Sequence, residues 1–136
     1  MTFEEAIIQR VLASPIALML GAWDGTRAVH PVDRPQGAPL PAIVFNLIDG
    51  GLDYTHSGRD DLQITPIQAD IFADRYGVAR YISDALGRLL ESPAEIGGIR
   101  FTHGFIDLER DVPVIDVSGT PAVFGRTQRF SIYHKE

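Results

Sequence analysis

A chain of 136 residues with 45% hydrophobic and 22% charged side chains can close one core, and area scaling at that length gives burial of roughly 68% of the unfolded surface. The lack of any cysteine excludes disulfides, thiolate metal sites and thiol nucleophiles. Eighteen acidic against twelve basic residues leave a net charge of −6, and the cations stand apart along the chain, which argues against a tight grip on a phosphate backbone.

Thr2-Phe3-Glu4-Glu5 has the spacing of a capping box, and Ile7, Ile8, Val11 and Leu12 follow at three- and four-residue steps. Together they predict a helix with one apolar stripe. This acidic start lacks the basic flank of a signal peptide, and the longest apolar run, Ile16 to Trp23, falls far short of the ~20 residues a membrane span needs. Synthesis in the cytoplasm and no membrane partner are expected. Ser14-Pro15 predicts a second, short helix, with Ser as cap, Pro at its first position and Gly21 closing it. Asp24-Gly25 is a turn signal, and Thr26 to Pro31 reads as a short strand. Three prolines and a glycine between Asp33 and Pro41 rule out a helix or a central strand there. Ala42 to Ile48 is the most apolar strand candidate, and Asp49-Gly50-Gly51 ends it.

From Leu62 to Phe72 apolar residues alternate, first as Leu62 and Ile64, then as Ile67, Ala69 and Ile71. The parity changes at Thr65-Pro66, which predicts a bulge or an edge position at Pro66. Asp74 is the expected cap of a helix from Arg75 to about Glu91, striped by Val78, Ile82, Ala85, Leu86 and Leu89 and ended by Pro93 and Gly97-Gly98. Ile99, Phe101 and Phe105 begin a strand whose phase shifts near Gly104, and Val123 to His134 forms the last strand, with Phe130 and Ile132 on one face and Arg129, Ser131 and Tyr133 on the other. Between them, Asp111 to Pro121 is a long loop with Val112, Val114, Ile115 and Val117, and apolar side chains in such a loop call for a partner.

Reactive constellations are missing from the pattern. His30, His56, His103 and His134 stand far apart with no ligand spacing. Adjacent carboxylates such as Asp60-Asp61 diverge on any regular element. Ser57-Gly58 and Ser118-Gly119 are turn chemistry, and no phosphate-cradling or nucleophile-elbow run occurs. Trp23, Tyr54, Tyr81 and Tyr133 are not interleaved with basic residues on one strand, as a base-stacking platform requires. No catalysis and no cofactor are expected.

Four stretches together resemble the phage tail-completion or tail-terminator family, related to tail-to-head joining proteins. They are Ala13-Ser14-Pro15-Ile16-Ala17-Leu18 after the first helix; Pro35 to Phe45; Ile67-Gln68-Ala69-Asp70-Ile71-Phe72-Ala73 leading into Ala79, Ile82, Ala85 and Leu86; and the closing Arg129 to Glu136. They span nearly the whole chain in the family's order. The resemblance implies a ring of identical copies, typically a hexamer, that caps the tail tube protein at the head-proximal end of a virion tail and meets the head-side connector. DNA then passes through the ring without sequence-specific binding.

The fold expected is a single α+β domain, a mainly antiparallel sheet of about four strands with two main helices packed on one face. Candidate contacts with neighbouring subunits or the tube are Arg34, Pro35, Gln36, Gly37 and Pro39 in the first loop, and Val112, Val114, Ile115 and Val117 in the second. Two rival readings are a connector stopper or adaptor on the head side and a small non-catalytic ligand-binding domain.

Overall fold

Thr2 caps the first helix: its hydroxyl accepts from the Glu5 amide at 3.2 Å, and α1 (Phe3–Leu12) follows with Ala6, Ile7 and Val11 buried along one stripe. The computed structural model describes residues 2–23, 26–31, 39–48, 54–55, 58–59, 62–115 and 122–135. Ser14 and Pro15 start a fresh turn as expected, although it is a 3-10 helix, Pro15–Met19, capped at Leu20 and not at Gly21.

Six strands form the main sheet: β1 (Val29–Pro31), β2 (Ala42–Leu47), β3 (Leu62–Ala73), β4 (Ala94–Ile96), β5 (Ile99–Ile115) and β6 (Val123–Lys135). Their spatial order is β1-β2-β3-β6-β5-β4. β1 and β2 run parallel, and the other neighbours are antiparallel. The α+β class stands, but the sheet is mixed and six-stranded where about four antiparallel strands are expected. Both outermost strands are three residues long, too short to show a period of two. β1 takes only the second half of the Thr26 to Pro31 segment, because Thr26–Arg27 pairs with Ala22–Trp23 across the Asp24-Gly25 turn signal. β4 is hidden in the sequence by Gly97-Gly98. These glycines have φ of 56° and 84° and make the tight turn from β4 to β5, so they do not end the preceding helix. That helix, α2 (Tyr76–Glu91), stops at Ser92, and its extended cap residue is Arg75, not Asp74, with no side-chain cap bond.

β3 pairs with β6 without interruption from Leu62↔Lys135 to Ala73↔Phe124, so the expected bulge at Pro66 is absent. The apparent change of parity arises because the inward positions before Pro66 are polar: Gln63 is buried there, while Leu62 and Ile64 point outward. The edge expectation is met. β2 covers β3 only from Ile67 to Phe72, and Pro66 lies one step past its end, where a missing N–H removes no ladder bond.

Both helices cover the same face of this sheet. Ile67, Ala69 and Ile71 of β3 and Phe130 and Ile132 of β6 join Ile7 and Val11 of α1 and Ile82, Leu86 and Leu90 of α2 in one buried cluster. Each large side chain closed off there contributes on the order of 1.5–3 kcal/mol. Two details set the helix layer. Buried Arg10 donates to the carbonyls of Leu89 and Ser92 at the end of α2, where the helix dipole favours a cation, and its guanidinium lies 5.3 Å from the Phe101 ring centre. Burial lowers the pKa of Arg10 from its ordinary value. At Gly104 the backbone of β5 slides beneath the end of α2, for an added Cβ would stand 2.5 Å from the Leu90 carbonyl oxygen.

Candidate docking surface

β5 decides which side chains meet the helices and which meet the outside. Its register against β6 shifts between Tyr133 and His134, between Arg129 and Phe130, and between Val123 and Gly125. An extra residue in one strand exchanges the two faces. Ile99 and Phe101 point inward; past the extra residue at Thr102, Gly104 and Ile106 do; past the next at Asp107, Glu109 and Asp111 do. The phase change expected near Gly104 is thus a bulge at Thr102.

The same resets gather His103, Phe105, Leu108 and Arg110 on the outer face. Phe105 is 52% and Leu108 41% exposed, and outward-facing Ile64 and Leu62 of β3 are 39% and 38% exposed. His103 stacks on Tyr133 at 4.4 Å with 20° between the planes, and Phe105 stands edge-on to Tyr133 at 5.6 Å. Rings from two strands therefore form one ledge. The outer face is closed at its other end, where Ala42, Val44 and Thr127 are buried. Apolar side chains exposed together in this way make the ledge a candidate contact surface.

Cations rim the ledge. Arg100, Arg110, Arg129 and Lys135 are exposed and point outward with it. Neighbouring carboxylates are already engaged: Asp107 accepts from Ser131 Oγ at 2.5 Å, and Asp70 from Thr127 Oγ1 at 2.8 Å. Glu95 is 4.0 Å from Arg100 with both side chains mostly in water, a pair worth little. Residues that stand apart along the chain thus come together in space. On the opposite, helix side of the sheet, a groove of about 350 Å³ lies between the start of α1 and the end of β2, lined by Phe3, Glu4, Ile8, Phe45, Leu47 and Ile67 among others. Its wall is apolar apart from Asn46 and one carboxylate, Glu4.

Beneath the first turns of α2 the inner face becomes polar. Arg126 donates to Ser83 Oγ at 2.9 Å and to Asp111 at 2.8 Å, and it lies 3.6 Å from Glu109. Gln128, fully buried, donates to the Ser83 carbonyl at 3.0 Å and to Glu109 at 2.7 Å. The Tyr76 hydroxyl donates to Asp111 at 3.1 Å. With both carboxylates held by one arginine, the cluster is a clamp that ties α2 to the far ends of β5 and β6. Among the described residues no group of three or more His, Asp or Glu side chains could hold a metal ion.

This architecture is similar to that of a chain in the virion of native gene transfer agent (GTA) particle, with a TM-score of 0.60 and 15% sequence identity over 97% of this chain and 94% of that chain. The two share one fold. At that identity the likeness concerns the path of the backbone, since one fold serves many roles. No protein-family model matches the sequence, and no curated protein matches it either.

Of the expected contact residues, Arg34, Pro35, Gln36, Gly37 and Val117 lie outside the described residues. Pro39 is half-buried, and its Cβ would be 2.8 Å from a Cβ added to Gly21, so its ring packs against Gly21. Half-buried Val112 lies against Gly125. Val114 and Ile115 are in β5, which continues through the first part of the expected loop, with Ile115 opposite Val123. None of the described ones adjoins the aromatic ledge. Tyr133 and Arg129 are legible as outward residues from the alternation of the last strand; His103, Phe105 and Leu108 are not, because the bulges erase their period.

Proposed function

We propose that this chain is a structural virion subunit of the tail-terminator type, acting through its surfaces and not through bond-making chemistry. Identical copies close into a ring, of six by the family resemblance, on the head-proximal end of the tail tube, and the exposed side of that ring receives the head connector. The observation that carries this reading is the likeness, along almost the full length of both chains, to a chain of a gene transfer agent virion. The bare outer face of the sheet supports it, because a ring subunit needs surfaces for neighbours in addition to its own core. The residues Arg34, Pro35, Gln36, Gly37 and Pro39, and Val112, Val114, Ile115 and Val117, remain proposed contacts to neighbouring subunits or the tube.

Removing the chain from a particle-producing strain tests the reading by electron microscopy. Overlong tails without heads are the expected outcome. Filled or leaking heads beside free tails of normal length would instead assign the chain to the connector, and unchanged particles would end the proposal.

A further inference from the structure

Two surfaces of this one chain are complementary. The outer ledge presents Phe105 and Leu108 between the exposed cations Arg100, Arg129 and Lys135. The groove on the helix side is apolar, has Leu47 41% exposed on its wall, and carries Glu4 at its rim with exposed Glu5 beside it. We propose that the ledge of one copy docks on the α1–β2 groove of a second copy, head to tail, and that this contact closes the ring. The inference rests on the ring reading for the presence of several copies and adds which surfaces meet.

Charge selects the occupant. The chain carries −6 overall while its ledge is rimmed by cations, so the rest of a second copy is net acidic, and the groove itself carries Glu4 with Glu5 beside it. Ledge against ledge would bring two cation-rimmed faces together, an arrangement that like charges oppose. A nucleic acid fits less well, because Leu62, Ile64 and Leu108 stand exposed among the cations and offer nothing to phosphates. Aromatic side chains seated in pockets are the usual anchors of protein contacts, and a groove of about 350 Å³ accommodates one. Since ledge and groove are different surfaces, every copy gives one and receives the other, the heterologous geometry that yields a ring where the rotation between copies closes.

Because the chain has no cysteine, engineered cysteines report proximity without background. Phe105→Cys and Leu47→Cys both change exposed positions, and thermal melts matching the parent confirm that each variant folds. Each single variant and the double F105C/L47C are oxidised, concentrated in solution and within assembled particles, and separated on non-reducing gels. The expected result is a ladder from dimer upward for the double variant, only a dimer for the two singles mixed, and monomer for each single alone. A control pairing Phe105→Cys with Leu18→Cys, 77% exposed in the 3-10 helix, should stay monomeric. Disulfide dimers from F105C alone would overturn the proposal, as would an equal ladder from the control. Monomer alone from the double variant, in solution and in particles that contain the chain, would likewise overturn it and leave the ledge to another protein or to DNA. Should the chain be absent from particles while the purified double variant still forms its ladder, the contact survives and the tail-terminator reading falls.

Discussion

Phe130 and Phe105 belong to adjacent strands of one sheet and have opposite surroundings. The first is fully buried beneath the helices; the second is 52% exposed on the far side. An antiparallel region with helices on one face can leave the other face to water or to a partner, and here the bare half carries aromatic and aliphatic side chains that water does not favour. Stability therefore resides on the helix side, and with recognition proposed for the ledge, mutations can separate the two.

The largest effect should come from the closed side. Phe130→Ala empties a filled core and is expected to lower the unfolding free energy by about 3–5 kcal/mol, measured as the shift of a urea transition; a cost below about 1 kcal/mol would contradict the division between faces. Next is the polar clamp. Arg126→Leu leaves Asp111 and Glu109 without their cation and Ser83 without a donor, an expected loss of roughly 1.5–3 kcal/mol. Amide exchange should rise at residues 109–112 before it rises in β3, and uniform loosening would show that the clamp is not local. Gly104→Ala forces a methyl group against the Leu90 carbonyl and is expected to cost about 1–3 kcal/mol, with the end of α2 displaced in a crystal structure of the variant. Smallest of all is Phe105→Ala on the open ledge. Its stability should stay within about 0.5 kcal/mol of the parent, while ring formation, followed by light scattering, is lost. A Phe105 variant that melts early would mean the ledge is part of the fold's support.

The same contrast explains which residues declare their place in the amino-acid sequence and which do not. Strand β6 alternates cleanly, so Phe130 and Ile132 are legible as core and Arg129 and Tyr133 as surface. α1 shows its cap at Thr2 and its stripe at Ile7 and Val11 because the period of a helix survives over ten residues. β5 hides its faces, since the extra residues at Thr102 and Asp107 reset the period twice within a few positions. Gln63, Gln128, Arg126 and Arg10 are buried yet read as surface in a hydrophobic pattern, because their burial depends on partners far along the chain. The docking surface is legible in part for that reason: its β6 half follows the pattern, and its β5 half follows the bulges.

The sheet order β1-β2-β3-β6-β5-β4 has a consequence for biosynthesis. β6 follows β5 along the chain but lies between β3 and β5, so as the polypeptide leaves the ribosome, two long strands wait with unsatisfied borders until their middle neighbour emerges. A nascent chain halted before Val123 would hold two half-sheets with nothing between them, each a template for wrong pairing. Chaperones are expected to meet this protein in that interval, which ends when the sixth strand fills the gap.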